Sequence, residues 1–224
     1  MMDPLPHPHR AVLDAELRRV REVILTMGDH VDQAITLAIS GLVNRDVALC
    51  SQVIADDARL NDLQREAREL SFTVILTQSP VARDLREIMG FMHMAAELER
   101  MGDHCVSIAK IARNLADLPE MRAHVDLPRM AEYCADQVRD MLSALVARDP
   151  ERARAVADRD DRVDRIYHRL FDDLVQLMID NSDCVYRATN LIFIAHHLER
   201  IGDRVTNLAE DLLFLETGRI EELG

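Results

Sequence analysis

This 224-residue sequence predicts an all-α fold of two tandem antiparallel three-helix bundles related by an internal repeat. Three observations point there. The composition is 48% hydrophobic and 30% charged with no Trp, and β-branched or aromatic strand formers gather nowhere along it. Apolar residues alternate in steps of three and four at Phe91, Met94, Leu98, Met101, Cys105, Ile108, Ala112 and Leu115. They do so again at Leu191, Ile194, Leu198, Ile201, Val205, Leu208, Leu212 and Leu215. That spacing is the seam of a helix in a bundle. Each stretch also carries one octet, ELERMGDH at 97–104 and HLERIGDR at 197–204, with Glu99 and Glu199 standing 100 residues apart (199 − 99).

Residues 1–10, MMDPLPHPHR, read as a disordered tail; the first bundle then runs over 11–117 and the second over 118–224. In the first, VNRD (43–46) and QSPVA (78–82) separate three helices, with Pro80 where the third could begin. DLPE (117–120) divides the halves. In the second, Pro128 lies within or just before the fourth helix, which could then start late, and ARDPE (147–151) breaks the chain after it. NSDC (181–184) opens the last helix, with Ser182 or Asp183 as its N-cap. Long helices on short connections lie antiparallel to their neighbours. The repeat reaches back to the middle helices, where DDARLNDL (56–63) aligns with RDDRVDRI (159–166). Asp57 then matches Asp160, and Asn61 matches Asp164.

The octets are costly as plain helix. Glu99 and Asp103 are like charges at i and i+4, Gly102 lies between them, and Glu199, Gly202 and Asp203 repeat both penalties. With Leu98 at heptad position a, these acids fall at b and f, on the surface away from the seam. The glycines flank the seam, where a neighbouring helix could come close. Asp57 and Asn61, and likewise Asp160 and Asp164, fall at one edge of theirs. An outward pair and an edge pair can converge in a groove, placing up to four oxygen ligands near one point. Such a set suits Mg, Mn or iron-type ions. One acidic pair alone is ordinarily solvated surface; two matching sets argue for ligands. His196, three residues before Glu199, joins the second set, while His93 and His104 read as surface histidines and Cys105 as core. Arg100 and Arg200 read either as part of the function or as plain ion pairs with nearby acids.

Several classes are excluded. The net charge of −13 disfavours nucleic acid and anionic membranes. No run approaches the ~18 apolar residues of a membrane span, the start lacks a signal peptide's apolar core, and four scattered cysteines show no C-x-x-C pair. A reduced, cytoplasmic protein without membrane insertion is expected. E-x-x-H, H-E-x-x-H, Walker and nucleophile-elbow motifs are all missing.

The doubled L-E-R-[MI]-G-D, the acidic segments before it and the ending ERIGDRVTNLAEDLLFLETGR resemble the PhoU family over nearly the whole chain after residue 10. The resemblance implies two three-helix bundles, a homodimer and no enzyme activity. It implies negative regulation of the high-affinity phosphate ABC transporter and of the phosphate-starvation response. The implied partners are the transporter's ATPase subunit and the sensor histidine kinase of the two-component system. Members of the family that bind metal clusters do so through E(D)-x-x-x-D motifs. Here those fall on Glu99 and Asp103, Glu199 and Asp203, Asp160 and Asp164, and Asp57 with Asn61, the last departing from the pattern. An ion held there would be divalent or of the iron type (Mg, Mn, Fe or Zn), its identity left open by the sequence. The competing reading is a helical metal protein with a storage or redox role.

Overall fold

The structure, a computed structural model, describes residues 8–119 and 126–223. Among the described residues seven α-helices follow one another: α1 (Pro8–Asn44), α2 (Val47–Gln78), α3 (Arg83–Leu115), α4 (Asp126–Ala147), α5 (Pro150–Ala157), α6 (Asp160–Asp180) and α7 (Val185–Thr217). A 3-10 turn, Ser182–Cys184, leads into α7. Among the described residues there is no strand, and no helix is long and apolar enough to cross a membrane.

Helices α1, α2 and α3 pack mutually, as do α4, α7 and the α5–α6 pair. The two groups join where α3 lies on α7 and α1 on α4. Every residue of the two apolar seams is buried except Leu115, which is half-buried. One core cluster takes residues from all seven helices, so the halves share a single apolar interior. Cys105 is part of it, and all four cysteines are buried free thiols.

The short turns explain the helix ends. Asp46 and Asp149 each cap the helix that follows, accepting from Leu49 N at 3.1 Å and Arg152 N at 3.0 Å. Each follows an arginine in the left-handed region, Arg45 at φ 56° and Arg148 at φ 52°. Arg45 uses that geometry to donate to Leu118 O at 2.6 Å, satisfying a carbonyl just past the end of α3.

Four sequence expectations need correction. Helix α1 already begins at Pro8, whose fixed φ suits a first helical position, so residues 8–10 are not tail; residues 1–7 lie outside the described residues. Pro80 does not open α3, which starts at Arg83 after a loop that carries Ser79 and Ala82 at φ 47°. Pro128 does not delay α4. It sits in the first turn, where its missing N–H has no intrahelical partner to lose. Neither Ser182 nor Asp183 caps α7, whose N-cap is Cys184 with no side-chain cap; Asn181 caps the 3-10 turn before it, accepting from Asp183 N at 3.0 Å. The middle helix of the second half is also broken, into α5 and α6. The break leaves Asp160 and Asp161 in a first turn, where the helix dipole favours acids.

Candidate functional site

Helices α3 and α7 cross antiparallel, and the two octets lie head to tail. Glu97, first in its octet, accepts from Arg204, last in the other, at 3.1 Å. Asn207 Nδ2 at 2.8 Å and Arg100 Nη1 at 2.9 Å complete its shell, with the residue only 1% exposed. The reciprocal contact joins His197 and His104, whose Nδ1 atoms are 3.1 Å apart. Burial first, and then the charge of His197 and Arg204, push His104 down to about 4. His197 is lowered by burial and by His196. One turn further on, His93 Nδ1 meets Asp211 Oδ2 at 2.7 Å. His104 is therefore half-buried in the joint between halves, whereas His93 is a surface histidine, as the sequence suggested, that pairs with Asp211 across the joint. The visible signal was that the octets differ at their first and last letters, which are the letters that meet.

The glycines do what the sequence suggested. A Cβ at Gly102 would stand 2.2 Å from Leu60 Cδ2 and 3.5 Å from Asp57 Oδ1; at Gly202 it would stand 2.5 Å from Asp160 Oδ1. The missing side chains let α2 and α6 close on α3 and α7, and this brings the acids together. In the first half, burial and the repulsion of Asp103 raise Asp57 and Glu99 above the ordinary carboxylate range. In the second, Asp160 rises to about 7, from burial first and then from Asp164, Asp203 and Glu199. Asp164 and Glu199 are raised too, each by burial and then by Asp203. His196 Nδ1 is 3.3 Å from Glu199 Oε2.

Among Glu99, Asp103, Glu199 and Asp203, only Asp103 is exposed. The other three are half-buried, because α2 and α6 cover the flank that a seam-based reading leaves open. Arg100 turns to Glu97, whereas Arg200 pairs with Asp203 inside the second set.

The second set fits a hard divalent cation on the chemistry of its donors. Asp160 Oδ1 is buried without a hydrogen-bond partner, as are both amide atoms of Gln137 beside it, and buried Glu199 Oε2 makes no hydrogen bond, its one ionic contact being the His196 ring at 3.3 Å. Buried anionic oxygens left unpartnered are costly, and a cation taking several oxygens would satisfy them together. As the side chains stand, no group of three or more His, Cys, Asp or Glu among the described residues is arranged to hold an ion. To hold an ion, the set would have to change rotamers, with Arg200 releasing Asp203. The first set is poorer. Asn61 Nδ2 already donates to Asp57 Oδ2 at 3.0 Å, and the charge of Lys110 acts on Asp57. Asn207 and Glu210, on the Glu199 stripe by spacing, are used elsewhere, on Glu97 and on Leu223 N at 2.8 Å.

Comparison with known proteins bears on the fold and the family. The profile of the PhoU domain matches twice, over residues 24–112 and 127–212. A phosphate-specific transport system accessory protein PhoU homolog of Rhizobium meliloti is 36% identical over 217 residues, covering 96% of this chain and 91% of the relative. One from Aquifex aeolicus is 33% identical, covering 92% and 93%. The crystal structure of PhoU from Pseudomonas aeruginosa superposes with a TM-score of 0.88 at 31% identity, covering 92% of this chain and 99% of that one. The phosphate transport system regulatory protein PhoU from Streptococcus pneumoniae also gives 0.88, at 27% identity and coverage of 94% and 100%. Two matched domains, one in each half and each with its own octet, place this chain in the PhoU family.

Proposed function

We propose that the protein is a cytoplasmic regulator of phosphate homeostasis, acting as an accessory to a phosphate-specific transport system. In this reading it restrains uptake by the high-affinity phosphate ABC transporter and keeps the phosphate-starvation two-component response off. It acts as a homodimer through contacts with the transporter's ATPase subunit and the sensor histidine kinase, without catalysis of its own. The observation that carries the reading is the doubled carboxylate set, one per half, with unpartnered buried oxygens in the second. Divalent ions there, of the Mg, Mn, Fe or Zn kind, would screen the mutual repulsion and fix the α6–α7 flank for docking. Asp160, Asp164, Glu199 and Asp203 would hold the ion, with His196 as a further donor. Exposed His196 in the second set, like exposed Asp103 in the first, favours a site open to a partner over the shielded site that storage or redox chemistry requires.

A deletion strain tests the role. Phosphate uptake should rise and the starvation regulon should stay on in rich phosphate, and normal repression without a paralogue would refute it. Manganese titration tests the metal part. Glu199→Ala/Asp203→Ala should remove the tighter site and Glu99→Ala/Asp103→Ala the weaker, with affinities differing by more than roughly tenfold, because carboxylate count sets affinity. Equal losses would show that the two sets are equivalent.

A further inference from the structure

Away from the carboxylate sets, positive charge gathers at one corner of this acidic chain. An open cleft of about 400 Å³ lies between the first turns of α1, the start of α3 and the turn joining α4 to α5. Arg10, Arg18 and Arg21 line it from α1, Arg83 from α3 and Arg148 from the turn. Against these five guanidiniums stand three lining carboxylates, Asp14, Asp84 and Glu87. Glu216 supports two of them from behind, 3.2 Å from both Arg83 and Arg148. With Glu216 counted the cleft is still net positive, in a chain of formal charge −13.

The floor is fixed and the rim is open. Glu87, with its side chain 9% exposed, is shared by Arg21 and Arg148. Arg10 bridges Asp14 at 2.9 Å and Asp84 at 2.7 Å. Each guanidinium has five N–H donors, so these pairs leave donors over, and Arg21 Nε is buried with no partner at all. Arg18 and Arg83 are exposed at the edge. The repeat does not account for the cleft. The places 100 residues after Arg83 and Glu87 hold Asp183 and Arg187. Helix α1 has 37 residues against 22 in α4, and it is the extra N-terminal length that supplies three of the arginines.

We propose that this cleft binds inorganic phosphate. Arg18, Arg21, Arg83 and Arg148 meet the charge of the oxyanion through N–H donors in the fork geometry that suits it. Asp84 supplies the selectivity. Phosphate keeps at least one proton at neutral pH and can donate it to a carboxylate, which only accepts. Sulfate, similar in size and shape, has no proton to offer and is repelled. A site built for any anion would gain nothing from carboxylates on its walls. No residue of the cleft belongs to the carboxylate sets, so the inference does not depend on metal binding there.

The experiment is calorimetric titration of the full chain, stripped of metal by a chelator, with potassium phosphate and potassium sulfate at fixed ionic strength. One saturable phosphate site is expected, tighter than sulfate by roughly tenfold or more. Arg18→Gln/Arg83→Gln should weaken phosphate by a similar factor while circular dichroism and Mn²⁺ binding stay unchanged. Asp84→Asn should narrow the gap between the two anions. Glu199→Ala/Asp203→Ala should bind phosphate as the wild type does. Absence of saturable binding, equal affinity for both anions, or full binding by the double arginine variant would each overturn the proposal. If that variant fails to fold, the wild-type ratio of phosphate to sulfate decides.

Discussion

Glu97 holds a full shell of donors between α3 and α7, with Arg204 3.1 Å away and Asn207 2.8 Å away. Removing one partner of a buried ion pair strands the other, so Glu97→Ala should cost ~3–5 kcal/mol in chemical denaturation. Glu97→Gln, which keeps the hydrogen-bond acceptor, should cost clearly less. Its neighbour Asp211 carries a pH signature. Burial, opposed by His93 and aided by Glu97 and Glu210, raises that carboxyl to about 6. A carboxyl that is more basic folded than unfolded weakens the fold when ionised. The penalty is therefore present above about pH 6 and fades as pH falls toward the ordinary value of 3.8. Asp211→Asn should stabilise the protein more at pH 8 than at pH 5, read from urea midpoints; the reverse order would refute the assignment. The repeated acids were legible in the sequence because both members of each pair sit on one helix at fixed spacing. Glu97 was not, since its partner is 107 positions away and no local spacing reports it.

Gly102 and Gly202 hold matching places in α3 and α7 but face different obstacles. Alanine at 102 meets Leu60, a side chain 4% exposed with core around it, whereas alanine at 202 meets the carboxylate oxygen of half-buried Asp160. Overpacking costs ~1–3 kcal/mol, and the gain in helix propensity returns ~1 kcal/mol. Gly102→Ala should lower stability. Gly202→Ala should leave it unchanged or higher while displacing Asp160, so Mn²⁺ affinity falls without loss of thermal midpoint. A fall in both variants alike would show that the two contacts are equally rigid. Helix identity was readable because the seam spacing is strict over eight residues in each of two helices. The break between α5 and α6 was not, since no Gly or Pro marks Asp158 and Arg159. The flank on which α2 and α6 close was likewise hidden, because a heptad count places residues on one helix and says nothing of its neighbours.

The two halves were legible as a repeat, but the way they join was not. The joint depends on which flanks of α3 and α1 are left over once each bundle has closed, and α7 and α4 cover those flanks. Because one apolar cluster runs through both halves, unfolding should follow a single transition with coincident far-ultraviolet and hydrodynamic changes. Two separated transitions would show that each half keeps its own stability. The head-to-tail contact of the octets has a further consequence. Two separate copies of one half, meeting about a true twofold axis, would have to make the same contact twice, with the same letters on both sides. A tandem chain is free of that rule. Here one side of the joint is a charged cluster around Glu97 and the other a pair of imidazoles, His104 and His197. Covalent linkage also makes the meeting of the halves independent of dilution. Because the two ends of the joint lie in one chain and are already unlike, a substitution at one end need not be matched at the other.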